Sequence, residues 1–166
     1  MTPCQMHKQT IYSYLEEIND PEVPVLSIID LGIVRDIKLN NEEIEVIITP
    51  TYTGCPAMDM IAATIKIQLA TLGFKKVKIT QALSPAWTTE WMSEEGKRKL
   101  KEYGIAPPNP RQQVCDQKLF AAGEAVQCPH CNSYHTYRIS EFGSTACKAL
   151  YQCNDCKEPF DYFKCH

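Results

Sequence analysis

No stretch of this chain approaches the ~18 consecutive apolar residues of a membrane span, and the opening Met1-Thr-Pro-Cys-Gln-Met-His-Lys8 carries no apolar run of signal-peptide length. A cytoplasmic protein is therefore expected, without membrane contact and with its thiols reduced. Positive charge is in short supply as well: 17 Lys and Arg stand against 20 Asp and Glu, a net charge of −3. Nucleic-acid binding needs a basic footprint that displaces counterions from phosphates, so it is not expected. There is no Gly-x-Gly-x-x-Gly loop for a dinucleotide. The helical Glu and Glu-x-x-His set that holds a diiron centre in a four-helix bundle is missing too. Neither a diiron catalyst nor a flavin or nicotinamide enzyme is therefore expected.

Cysteine, by contrast, is abundant, with nine in 166 residues. Four of them form two Cys-x-x-Cys pairs, Cys128-Pro-His-Cys131 and Cys153-Asn-Asp-Cys156. Each such turn aims two sulfurs at one point, and two turns make the closed tetrahedron that a structural Zn²⁺ prefers. The intervening 21 residues, 132–152, slightly exceed the roughly 15–20 usual for this pattern, a difference that a longer hairpin absorbs. In a reducing compartment paired cysteines are ligands more often than bridges. Iron in a rubredoxin-like site uses the same ligands and remains an alternative. Residues 128–166 balance Arg138, Lys148, Lys157 and Lys164 against Glu141, Asp155, Glu158 and Asp161, which favours a protein partner for this ribbon.

The rest of the chain reads as an α+β arrangement: helix, β-hairpin, helix, strand, then helix, ahead of a C-terminal β zinc ribbon. With 44% hydrophobic residues the larger part can build a core. Ile11, Tyr14, Leu15 and Ile18 fall at helical spacing before Asn19-Asp20-Pro21. A dense apolar block follows from Leu26 to Val34. Residues 33–39 and 43–49 flank the turn-prone Asn40-Asn41, which predicts a hairpin. Pro56 suits the first position of a helix whose apolar face is Met60, Ile61, Ile65, Leu69 and Leu72 and which Gly73 stops. Lys76-Val-Lys-Ile-Thr80 alternates as a strand. A last helix carries Glu94 and Glu95 early and Lys97 to Lys101 late, in the order the helix dipole favours, and Gly104 ends it. Pro107-Pro-Asn-Pro110 opens a linker. The domains are accordingly 1–106, a linker over 107–127, and the ribbon over 128–166. Trp87, Trp91 and Met92 read as core or intradomain packing, with an exposed contact surface as the alternative.

Cys55 is the second residue of chemical interest. Placed at a helix N-terminus, its thiol would feel the positive end of the dipole and be stabilised as thiolate, the form that binds metal or accepts sulfur. The alternative is an inert buried thiol. Asp20 and Glu22 read as turn or ion-pair residues, and Thr51 and Thr53 as hydroxyls that bond loop amides or help hold an anion. Cys147 and Cys165 read as small buried side chains packing the ribbon rather than as a second metal site with His130, His135 or His166.

The segments Asp20-Pro-Glu-Val-Pro-Val-Leu-Ser-Ile-Ile-Asp-Leu-Gly-Ile-Val-Arg-Asp36 and Thr49-Pro-Thr-Tyr-Thr-Gly-Cys-Pro-Ala57 resemble the iron–sulfur assembly domain family that includes SufT. From about residue 11 onward the chain further resembles the PaaD family, the D components encoded with bacterial phenylacetyl-CoA epoxidases. The resemblance rests on Ser84-Pro-Ala-Trp-Thr-Thr-Glu-Trp-Met92, Tyr103-Gly-Ile-Ala-Pro-Pro108, Phe142-Gly-Ser-Thr-Ala-Cys-Lys-Ala-Leu-Tyr151 and Glu158-Pro-Phe-Asp-Tyr-Phe-Lys-Cys165. It implies a role in aerobic phenylacetate catabolism, as a non-catalytic accessory to an epoxidase built from a diiron oxygenase and an iron–sulfur reductase. It also implies that Cys55, with the Asp20-Pro21-Glu22 turn and Thr51, serves transient iron or iron–sulfur cluster handling. One thiol cannot hold a cluster, so further ligands would come from a client component or from a homodimer partner. A stably bound structural or regulatory subunit, and an electron-transfer protein with iron in the ribbon, are the alternatives.

Overall fold

The computed structural model describes residues 7–40, 43–108 and 126–164. Cys4, Asn41, Cys115, Cys165 and His166 lie outside the described residues, and so does most of the expected linker. The chain divides into two compact units, Met1–Trp87 with Trp91–Ser93, and Thr88–Glu90 with Glu94–His166.

The first unit opens with α1 (Lys8–Leu15). Ile11 and Leu15 on α1, and Ile18 just after it, are all buried, as their spacing predicts. The hairpin forms as β1 (Val34–Asn40) and β2 (Glu43–Ile48), antiparallel from Val34↔Ile48 to Asn40↔Glu43. Next comes α2 (Ala57–Thr71), and β3 (Lys76–Gln81) returns parallel to β2, giving the sheet order β1-β2-β3. Alternation decides the faces: Ile44, Val46 and Ile48 are buried, while Glu45 on the opposite face bridges Lys38 at 3.5 Å and Lys78 at 2.7 Å. Lys78, with the Thr80 hydroxyl, holds the Glu45 carboxyl down to about 2.

Two details of α2 differ from expectation. Pro56 is the N-cap rather than the first helical residue, a one-residue difference of the kind common at frayed helix ends. The buried stripe is Met58, Ile61, Ile65 and Leu69, with Met60 61% exposed. Ile61, Ile65 and Leu69 hold their expected places, and Met58 rather than Met60 completes the i, i+3, i+7 line on the buried face. Gly73 does stop the helix, at φ +93°.

The Leu26–Val34 block is buried almost throughout and is tied to the segment before α3. The Trp87 indole N–H donates to the Leu31 carbonyl at 2.8 Å, and the Ser93 N–H donates to the Asp30 carbonyl at 2.9 Å. Asp30, 3% exposed, also accepts from the Ser93 hydroxyl at 2.8 Å. Arg35 lies 3.5 Å from the centre of the Trp91 ring. Gly32 (φ +67°) passes so close to this segment that a Cβ would lie 2.3 Å from the Trp91 carbonyl oxygen. Trp87 and Met92 are buried, while Trp91 is half-buried.

The second unit holds α3 (Glu94–Glu102), the two-residue β4 (Ile105–Ala106), β5 (Thr136–Ser140), β6 (Lys148–Cys153) and β7 (Pro159–Phe163). Its sheet runs β4-β7-β6-β5. Residues 94–106, which sequence reading groups with the N-terminal part, are here grouped with the ribbon: β4 pairs in parallel with β7, Ile105↔Asp161 and Ala106↔Tyr162. This pairing spans more than fifty residues and carries no local signal. Tyr151 stacks on Phe160 at 5.9 Å and meets Tyr162 edge-on at 5.6 Å. Around this aromatic trio a buried cluster gathers Ala106, Val126, Ala149 and the sulfurs of Cys128 and Cys153.

Candidate metal centre and a separate thiol

The four ribbon cysteines converge: their sulfurs all lie within 4.8 Å of one another. Cys128 and Cys156 are 3.7 Å apart and Cys131 and Cys153 are 3.5 Å apart. Sulfurs about 2.3 Å from a central Zn²⁺ would define a tetrahedron of edge about 3.8 Å, so the donor set fits that ion in both chemistry and size. The two knuckles are built alike. In each, the residue after the second cysteine has positive φ, Asn132 at 62° and Lys157 at 66°. The first cysteine of each donates a backbone hydrogen bond across its turn, Cys128 N–H to the Ser133 carbonyl at 2.8 Å and Cys153 N–H to the Glu158 carbonyl at 3.1 Å.

That turn geometry points backbone N–H groups at sulfur. Those of Cys156 and Asp155 hold the Cys153 thiol down to about 7. The Glu158 N–H favours the Cys156 thiolate in the same way, but burial and the three neighbouring sulfurs push that thiol up to about 12. Four thiolates this close repel one another unless a cation sits among them, and that is what a bound metal supplies. The knuckles are also clamped to each other. The Ser133 hydroxyl donates to Asp155, whose other oxygen lies 3.1 Å from His135 Nδ1, and the Asn154 N–H donates to the His135 carbonyl at 2.8 Å. Ser133, first, and then His135 hold the Asp155 carboxyl below the usual carboxylate range. Sequence reading names His135 only in a second metal site that it does not favour; its partner here is a carboxylate. Cys147 is buried, 3.0 Å from the Thr145 hydroxyl.

Cys55 sits differently. It precedes α2 and is 9% exposed, and its carbonyl accepts from the Met58 N–H at 3.3 Å. The helix end does supply a donor, the Ala57 N–H, and the Tyr52 hydroxyl adds a second. Burial nevertheless pushes the thiol up from its ordinary value, and the Glu22 and Asp20 carboxylates add to that. The thiolate expected from helix position alone is therefore opposed: desolvation and two nearby negative charges outweigh the dipole. Tyr52 has no distinguishing signal in the sequence; only its approach to Cys55 marks it.

The structure thus brings Asp20 and Glu22 into the electrostatic neighbourhood of Cys55. Asp20 is 6% exposed, and its Oδ1 accepts from the Glu22 N–H at 2.7 Å and the Val23 N–H at 2.9 Å, so it shapes the loop that presents Glu22. Thr51 is buried nearby in sequence, while Thr53 is exposed. Among the described residues, the four ribbon cysteines are the one set of three or more His, Cys, Asp or Glu side chains close enough to share an ion. Cys55 and its carboxylates do not close around one.

Comparison with known proteins matches these two regions separately. Residues 8–80 match the model of the iron-sulfur cluster assembly protein family, and residues 112–164 match that of the PaaD zinc beta ribbon domain. A crystal structure of a domain of unknown function from Bacillus anthracis superposes with a TM-score of 0.53 at 29% identity, covering 56% of this chain and 90% of that one. A conserved hypothetical protein from Thermotoga maritima gives a TM-score of 0.50 at 27% identity, covering 58% of this chain and 96% of that one. An Fe-S protein maturation auxiliary factor of Porphyromonas gingivalis is 32% identical over 95 residues, 56% of this chain and 90% of that protein. An Escherichia coli K12 protein, provisionally named as the D component of 1,2-phenylacetyl-CoA epoxidase, is 48% identical over 165 residues, 99% of this chain and 96% of that protein. With an iron–sulfur-assembly domain, a four-cysteine ribbon and that identity along nearly its whole length, the chain belongs to the PaaD family of phenylacetyl-CoA epoxidase components.

Proposed function

We propose that this protein is a non-catalytic accessory of a phenylacetyl-CoA epoxidase system in aerobic phenylacetate catabolism, and that it assists assembly or repair of an iron–sulfur or diiron centre. The observation that carries the reading is the pairing of one isolated thiol, Cys55, set beside Glu22 and Asp20, with a separate closed sulfur cage. A cage whose four positions are all protein ligands has no open position for chemistry, so its ion is structural. Cys55 supplies one ligand and lacks the others. That suits a transient hand-over, in which iron or a cluster is the cargo and an epoxidase component completes the coordination.

A raised thiol value fits this role. The sulfur stays protonated and unreactive until a cation arrives, and metal binding then displaces the proton. Cys55, Asp20, Glu22 and Thr51 form the delivery loop, while Cys128, Cys131, Cys153 and Cys156 hold Zn²⁺, the ion such ribbons commonly carry. The two units act as separate modules, one handling cargo and the other gripping the client, in the cytoplasm. The edges of the β1-β2-β3 sheet offer a route to a homodimer.

The test is activation of metal-depleted epoxidase components by the wild-type protein, Cys55→Ser and Cys128→Ser, with metal analysis of each. Delivery through Cys55 requires that Cys55→Ser keep its zinc and fold yet fail to activate. Full activation by that variant would remove Cys55 from the mechanism. A second reading, a stably bound structural component, is favoured by the name of the Escherichia coli relative. It predicts copurification with the epoxidase in fixed ratio.

A further inference from the structure

We propose that the Gly104–Ala106 segment is a positioning element of the metal site, so that docking of β4 on β7 and metal binding by the four cysteines are thermodynamically coupled. This rests on the reading that the cage holds a metal, and extends that site to residues 22 positions before its first ligand, from Ala106 to Cys128.

Three observations join the segment to the cage. Ala106, 1% exposed, belongs to the same buried cluster as Cys128 and Cys153 and pairs with Tyr162 of the aromatic trio. Ile105 is 5% exposed and pairs with Asp161. Gly104, in the left-handed region at φ +88°, leaves just enough room for the first knuckle: a Cβ there would lie 3.2 Å from Cε1 of His130, the residue between Pro129 and Cys131. The end of α3 therefore abuts the metal turn directly.

Size makes the coupling strong. A two-residue strand pair is not stable by itself, and the ribbon from its first ligand, Cys128, to the end of β7 at Phe163 is shorter than the ~40 residues below which a metal or similar staple is usually needed. Neither part has a reserve of its own. Metal orders the knuckles and the core beneath them, which completes the surface on which β4 rests. By reciprocity, any change that lifts β4 must weaken metal binding by the same factor.

The experiment uses the full chain. Hydrogen exchange followed by mass spectrometry, with Zn²⁺ bound and after chelation, reads each segment. On zinc removal, exchange across 94–106 should rise together with that of 126–164, while β1–β3 and α2 stay protected. Protection of 94–106 that survives zinc removal would overturn the proposal. In parallel, Zn²⁺ affinity is measured by competition with a chromophoric chelator for the wild type, Ala106→Asp and the milder Gly104→Ala, with Thr53→Ala as a control. The expected order is a loss of about tenfold or more for Ala106→Asp, within the usual range of coupling, a smaller loss for Gly104→Ala, and none for the control. Wild-type affinity in both test variants would sink the coupling but leave the cage. A wild-type chain that takes up no zinc would sink both.

Discussion

The two units solve the problem of stability by different means. The first is held by ordinary apolar packing, with Ile11, Leu15, Leu26, Ile28, Ile37, Ile44, Ile48, Ile61 and Ile65 all at 2% exposure or less. The second has a small aromatic core whose interior includes two of four clustered sulfurs. Their cysteines differ in the same sense. In the ribbon, sulfur is crowded by sulfur and bonded by backbone N–H groups; in the first unit one thiol is set against carboxylates in a nearly dry site. A cysteine's surroundings, rather than its presence, decide how readily its thiol ionises.

The widest contrast comes from removing a cage ligand. Cys128→Ser should abolish zinc retention and unfold the ribbon, since structural zinc contributes on the order of 10 kcal/mol to folding of such modules, while the first unit keeps its circular dichroism and thermal transition. Metal analysis and calorimetry would check both, and loss of the first unit as well would erase the distinction. Gly32→Ala is the converse. Its Cβ meets the Trp91 carbonyl at 2.3 Å with φ at +67°, so roughly 2–4 kcal/mol of the first unit's stability should go, read by denaturant unfolding, with zinc content unchanged.

A smaller effect sharpens the comparison of the thiols. Because the Cys55 thiol is pushed up, its alkylation at neutral pH should lag that of a free cysteine and quicken as pH rises through and beyond the ordinary thiol range. Glu22→Gln should speed the reaction a few-fold by removing one opposing charge. Peptide mapping by mass spectrometry reads this site among the nine cysteines, and a fast, pH-independent reaction would contradict the buried, carboxylate-flanked geometry. The smallest change is Lys157→Gly, which relieves a positive φ of 66° and should raise the thermal midpoint of the zinc-loaded ribbon by the equivalent of about 1 kcal/mol or less. Asn132→Gly should do less, since asparagine tolerates that region.

Much of this architecture is legible without coordinates because its causes are local. The hairpin follows from alternation along Glu43–Ile48 after a turn-prone pair, Gly73 from its place after a helical stripe, and the cage from a spacing that leaves the sulfurs little choice. Met60 shows the limit even there: both Met58 and Met60 are apolar, and the sheet against which α2 rotates selects between them. Helix position alone predicts a thiolate at Cys55, and the opposing influence comes from burial and from a loop more than thirty residues earlier.

Order of elements, the converging cysteines and family were all readable from the chain, since each depends on residues near one another or on a pattern spread along its whole length. Folding had to settle the rest: that β4 joins the ribbon, that Asp30 clasps Ser93, that Tyr52 bonds Cys55, and that burial, with Glu22 and Asp20, pushes that thiol up from its ordinary value. Apart from the Tyr52–Cys55 bond, these outcomes rest on contacts between distant segments, whose energies come from burial and charge proximity that exist only once the chain has folded.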